Sequence, residues 1–137
     1  MKDSAIRGFL AGYAEAWDAY DVDAIVAHFA LPQIVVAAGR TTFLETEDEV
    51  EAGVETLCGL YEDKGVAGIA LDVEAVEALP DAAARAMVRW RLSGADGAEL
   101  LSYPAIYTIV EDDDGALAIV AFDADGQAEA HRAAGWD

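Results

Sequence analysis

The sequence predicts an α+β domain in which helices come first and a meander of long strands follows. Three observations predict it. Apolar residues recur at helical spacing as far as Tyr61, they alternate with period two from Val66 onward, and three turn signals cut that second half into four strands. At 137 residues the chain is long enough for one sizeable core and too short for two. A single domain over 1–137 is therefore expected, with a tail from about 124 to 137.

The first helix runs from about Ser4 to Ala19, with Ile6, Leu10, Tyr13 and Trp17 on one face and Phe9 and Ala16 beside them. Asp21 is placed to cap a short second helix whose Val22, Ile25 and Phe29 turn inward. Pro32 forbids its continuation, and Pro32–Ala38 reads as a strand. After Gly39-Arg40, TTFLE gives a short partner strand. Thr46-Glu47-Asp48-Glu49 has the pattern of a capping box and opens a third helix. Val50, Val54, Leu57 and Tyr61 share a face of that helix, which ends near Lys64-Gly65.

The turn signals are LPDA at 79–82, GADGA at 94–98 and DDDGA at 112–116. In the strand after the first of them, Ala84, Ala86, Val88, Trp90 and Leu92 share one face, while Arg85, Met87, Arg89 and Arg91 share the other. A turn at 80–81 sets Ile69, Leu71, Val73 and Ala75 beside the apolar set and Asp72 and Glu74 beside Arg89 and Arg91. One register satisfies both faces, and the arginines read as partners in cross-strand ion pairs. Pro104, in the middle of a strand, removes a ladder donor and marks a place for a kink or bulge.

Charge narrows the range of partners. The chain carries 27 Asp and Glu against 8 Lys and Arg, a net −19. A field of that sign repels phosphate backbones and anionic lipid, so neither a nucleic-acid nor a membrane partner is expected. Arg7 and Glu15 interrupt what would be the apolar stretch of a secretory leader, and Cys58 has no second cysteine to pair with. A cytoplasmic location follows as an expectation. His28, His131 and Cys58 cannot supply a zinc ligand set, no glycine-rich phosphate loop opens a helix, and no metal or cofactor is expected. His28 reads as a partly packed helix residue. His131 belongs to the tail AEAHRAAGWD, which could fold over a pocket, dock on a partner or fray, with fraying the default for a terminus.

Two helices joined by Asp21-Val22-Asp23, an inward Phe29, a strand, a third helix and a curved meander form an order that resembles the nuclear transport factor 2-like superfamily. This is the cone-shaped, cystatin-like fold shared by ketosteroid isomerases and polyketide cyclases of the SnoaL type. The resemblance covers about Ile6 to Phe122. It implies three N-terminal helices packed on a curved, mainly antiparallel sheet, a conical pocket between them, and often a homodimer formed through the outer face of the sheet. The isomerases of that superfamily use a helix tyrosine, a protonated strand acid and an aspartate base. Tyr13 fits the tyrosine's place, the base would fall near Ala37, and the acid would fall at Tyr107, or at Ile106 if the register slips by one. Neither Val36 nor Ala38 can replace the base, so standard isomerase chemistry is not expected.

What the resemblance leaves is Tyr13 and Tyr107 as candidate catalytic phenols able to polarise a carbonyl, with Trp17, Phe29, Trp90 and Tyr103 as candidate ligand-binding walls. Two readings follow. One is a small-molecule pocket protein, isomerase- or cyclase-like, that binds or acts on an apolar carbonyl compound. The other is a non-catalytic dimerisation or assembly domain whose aromatics fill the cone. A cavity of a few hundred Å³ or more with converging phenols favours the first, and a filled cone favours the second.

Overall fold

The computed structural model describes residues 1–136. The first helix, α1 (Asp3–Asp18), buries Ile6, Leu10, Tyr13, Ala16 and Trp17 along one stripe, as its apolar spacing requires. Asp21 caps the short α2 (Val22–Val26) by accepting from the Ala24 amide at 3.2 Å. That helix is shorter than its sequence pattern predicts, because tertiary pairing takes over. The His28 carbonyl accepts from the Ile119 amide at 2.8 Å, and Phe29 becomes the first residue of β1 (Phe29–Ala37) instead of the last inward residue of a helix.

Pro32 consequently lies inside β1, after a cis peptide bond from Leu31. It is tolerated because the ladder is already broken there. The pairs Phe29↔Ile119 and Ile34↔Ala121 enclose Ala30 to Gln33 on one strand and Val120 alone on the other. A two-residue turn, Ala38-Gly39, with φ of 53° and 75°, has the backbone twist favoured in hairpins and leads into β2 (Arg40–Leu44).

Thr46 caps α3 (Glu47–Asp63) by accepting from the Glu49 amide at 3.2 Å, while Glu49 closes the box on the threonine hydroxyl. Acidic crowding continues along its outer face. Glu51 is held above the usual carboxylate range, first by a hydrogen bond shared with Glu55 and then by the charges of Glu55, Asp23 and Asp48. An acid whose folded pKa is raised opposes folding at neutral pH, and the opposition fades as pH falls through that raised value. Glu51→Gln should therefore raise the melting temperature at neutral pH, with the gain shrinking as salt is added. A melting curve that does not move at low salt would contradict this.

Four strands follow: β3 (Gly68–Leu79), β4 (Ala83–Ser93), β5 (Glu99–Glu111) and β6 (Leu117–Asp123). With the first hairpin they form one six-stranded sheet in the order β2-β1-β6-β5-β4-β3, antiparallel except where β1 runs parallel to β6. The predicted β3–β4 register holds for Ile69↔Leu92, Leu71↔Trp90 and Val73↔Val88 and then slips. The turn takes three residues, Pro80 to Ala82, with Asp81 and Ala82 both at positive φ, and a bulge between Val73 and Ala75 absorbs the extra one. Ala75 therefore lies opposite Met87 on the outer face, and Val76 takes its place beside Ala86.

The arginine face does form cross-strand ion pairs. Arg91 meets Asp72 at 2.6 Å and Glu99 at 3.3 Å, and Arg85 meets Glu77 at 3.9 Å. All are about half-exposed and contribute little to stability. Helix α1 is tied to the β3 edge, where the Asp18 carboxylate accepts from the Ile69 amide at 2.8 Å and Arg7 donates to the Val73 carbonyl at the bulge.

Over its described residues, 124–136, the tail does not fray, and Asp137 lies outside them. A fourth helix, α4 (Asp125–Ala134), ends in a left-handed Gly135 and folds back against β5. Its start is fixed to the β1–β2 hairpin: the Ala124 amide donates to the Val36 carbonyl at 2.7 Å, and the Asp125 carboxylate accepts from the Ala38 amide at 2.6 Å. Pro104 marks the place where this helix lands, not a bulge. Gly126 lies so close that a Cβ there would be 2.5 Å from the Pro104 carbonyl oxygen. Three N-terminal helices on a curved sheet is thus right as far as it goes, and the fourth helix is the correction. No helix of the described residues is long and apolar enough to cross a membrane.

Candidate functional site

The helices do not fill the concave side of the sheet. A cavity of about 290 Å³ remains, walled by α1, β1, α3, β4, β5 and the first turn of α4. Strand alternation explains most of the lining. On β1 the inward positions are Gln33, Val35 and Ala37; on β5 they are Tyr103, Ala105 and Tyr107; Trp90 comes from β4. Among the described residues none of the lining side chains is charged, and its polar atoms belong to tyrosine, tryptophan and glutamine.

Those polar atoms fall into two groups. In the first, Tyr13 stands at the centre of an aromatic cluster, with edge contacts to Trp17, Phe29, Trp90 and Tyr107 at ring-centroid distances of 5.6–6.4 Å. The Trp90 indole donates to the Tyr107 hydroxyl at 3.0 Å. Burial pushes the Tyr13 phenol up to about 12, while the Trp17 and Tyr107 side chains pull it down. Burial also holds Tyr107 well above its ordinary value, and the neighbouring Tyr13 adds to the rise. Both stay protonated at neutral pH and can act as donors. Trp17 differs from its neighbours. Its buried indole N–H makes no hydrogen bond of good geometry among the described residues, although it stands near enough to the Tyr13 hydroxyl to favour that phenol's ionised form.

The second group gathers under α4. The Tyr61 and Tyr103 hydroxyls are 2.8 Å apart, Gln127 donates to them at 3.1 and 3.2 Å, and His131 Nε2 lies 3.0 Å from the Tyr61 hydroxyl. Burial raises both phenols. Gln33 stands apart from both groups. Fully buried, it is oriented by its surroundings so that its amide nitrogen donates to the carbonyls of Ile119 at 2.7 Å and Ala30 at 3.2 Å. It bridges the gap in the β1–β6 ladder.

Comparison with known proteins places this cone. A family model described as "NTF2-like protein (DUF6841)" matches residues 2–126. The chain belongs to that family. Solved structures share the fold. An NTF-2 like protein of unknown function from Shewanella oneidensis MR-1 is 21% identical, with a TM-score of 0.71 over 90% of this chain and 98% of that one. Aln2 from a Streptomyces species is also 21% identical, with a TM-score of 0.71 over 93% of this chain and 92% of that one. A ketosteroid isomerase-like protein from Erwinia carotovora atroseptica SCRI1043 is 14% identical, with a TM-score of 0.67 over 88% and 92%. A search of curated protein sequences gives no match.

In this DUF6841 protein the structure brings Tyr13, Trp17, Phe29, Trp90, Tyr103 and Tyr107 into one cavity wall. Tyr103 stands with the second group, apart from the Tyr13 cluster. Three polar residues were missed by sequence reasoning: Gln33, Tyr61 as a phenol beyond its packing role, and Gln127; His131 was placed on a tail for which folding over the pocket was one of three readings, with fraying the default. Gln33 carried a signal, being the polar position that alternates inward with Val35 and Ala37. Gln127 carried none, because it enters the site only through the folding back of α4. His28 remains a packed residue, its Nδ1 2.7 Å from the Ala24 carbonyl and its ring against Phe9 and Tyr13. Cys58 is buried on α3, where burial raises its thiol, so it is poorly suited to nucleophilic work.

Proposed function

We propose that this DUF6841 protein binds a small, flat, largely apolar molecule bearing an acceptor oxygen, such as a ketone. The observation that carries this is the Trp17 indole. Buried N–H groups are almost always paired, and here an unpaired one stands in the wall of an open, uncharged, aromatic cavity. A ligand oxygen placed between Trp17 and Tyr13 would accept from both, with Tyr107 behind Tyr13 polarising the pair. Trp90, Phe29 and Tyr103 would flank its apolar body. Binding is preferred over enolisation because, among the described residues, no carboxylate or histidine lines the cavity to take a proton from carbon. The open volume counts against the alternative of an assembly domain with a filled cone. The protein is also read as a homodimer formed through the outer sheet face, which presents Phe43 at 58% and Ile106 at 37% exposure.

Native mass spectrometry of the purified protein tests oligomeric state and occupancy together. A dimer carrying a discrete small molecule supports both parts, and an empty monomer argues against both. The role of Trp17 is tested by titrating 2-acetylnaphthalene and 2-ethylnaphthalene into wild type and Trp17→Phe. The ketone should lose about tenfold in affinity beyond any loss for the hydrocarbon, the equivalent of one hydrogen bond. Equal losses for the two would reduce Trp17 to a packing residue.

A further inference from the structure

The wall of the cavity is buried over most of its extent, and the place where it is not shows how a ligand reaches the interior. We infer that Gly53 is the threshold of the pocket: ligands enter between α3 and the β1–β2 hairpin, and the missing side chain at Gly53 keeps that passage open and sets the width of what can pass. The inference rests on the pocket reading above.

Helix α3 faces the cavity with Val50, Gly53, Val54, Leu57 and Tyr61, the spacing of one helical stripe. Val50, Val54 and Tyr61 are buried, Leu57 is half-buried and Gly53 is exposed. Among the described residues Gly53 is the one exposed member of the lining. A residue that borders both the cavity and bulk water marks where the two meet. The hairpin contributes Val35, Ala37 and Leu44 to the same lining, each half-buried and none charged. Both banks of the passage are thus apolar. A smaller hollow of about 230 Å³ backs onto the cavity wall through Phe29 and Val50, but Asp23 and Glu47 stand in it. An apolar molecule entering there would strip water from two carboxylates, which is costly.

Neither the backbone nor the packing requires glycine at position 53. Its φ lies outside the left-handed region, and no atom beyond its own stretch of helix lies within 4 Å of the place a Cβ would take. Inside a helix of 17 residues glycine is a cost, because alanine would lose less backbone freedom on folding. Gly59 carries the same cost on the same helix and is likewise exposed with open space around it, but it does not line the cavity. The place of Gly53 in the lining is therefore what separates the two, and Gly59 is the control. A side chain grown from position 53 extends into open space at the rim, so a large one narrows the passage without displacing a packed neighbour.

The test measures the binding rates of 2-acetylnaphthalene by stopped-flow tryptophan fluorescence, with Trp17 and Trp90 in the cavity wall as reporters. Wild type is compared with Gly53→Ala, Gly53→Leu and Gly53→Phe. Association and dissociation should slow together as the side chain grows, by about tenfold each in Gly53→Phe, with the dissociation constant little changed. Gly53→Ala should raise the unfolding midpoint and keep both rates close to wild type. Gly59→Phe should leave the rates unchanged. Wild-type rates in Gly53→Phe would overturn the inference, since ligands would then enter elsewhere. Equal slowing in Gly59→Phe would overturn it as well, by making the effect one of the whole helix. So would an affinity lost through faster dissociation alone, because the new side chain would then lie in the ligand's own place. If the wild type does not bind the ketone, the pocket reading fails and the inference fails with it.

Discussion

Gly126→Val should lower the unfolding midpoint and free α4 from the sheet. A side chain at this position would place its first carbon 2.5 Å from the Pro104 carbonyl oxygen and 2.8 Å from the proline ring. Neither obstacle can rotate away, since one is backbone and the other a closed ring, so the helix itself must lift. Overpacking of this kind costs about 1–3 kcal/mol. The next residue is Gln127, so the loss extends to the hydrogen bonds with Tyr61 and Tyr103. Hydrogen exchange should show the α4 amides opening well below the global unfolding energy. Gly8→Ala is the control, because nothing lies within 4 Å of its Cβ position and alanine favours a helix. If Gly126→Val exchanges and melts like the wild type, the close approach of α4 to Pro104 does not hold in solution.

Gln33→Leu should be more costly, although leucine is similar in size and more apolar. The substitution leaves the Ile119 and Ala30 carbonyls without a donor in a buried part of the sheet. Each unsatisfied group costs about 1–3 kcal/mol, and a total of about 2–4 kcal/mol is expected in a urea unfolding curve. A loss below about 1 kcal/mol would mean that water takes over the bridge or that the amide is oriented otherwise.

Legibility of the fold in the sequence followed the range of the forces involved. The α1 stripe, the Asp21 and Thr46 caps and the alternation of Ala84 to Leu92 rest on neighbours a few positions apart, and all were read correctly. The errors share one cause. Phe29 was assigned to a helix because its β6 partner lies far along the chain, and Ala75 was assigned inward because the three-residue turn and its compensating bulge are invisible to a period of two. The aromatic walls of the cavity were legible since strand parity and helix spacing place them. Its polar floor under α4 was not, because Gln127 and His131 reach it by a docking that depends on a missing Cβ at Gly126.

The parallel pairing of β1 with β6 bears on the order of events during synthesis. Phe29 waits for Ile119, 90 positions further along the chain, before its strand has a central neighbour. Until then the β1–β2 hairpin can pair with itself alone, and an isolated two-stranded hairpin is marginal in water. The meander of β3, β4 and β5 is built from short-range contacts and can form first, with the helices and the first hairpin closing onto it once β6 has emerged. During that interval Val35, Val36 and Phe43 remain uncovered on a nascent edge, the stretch of this chain most exposed to association with other unfinished copies.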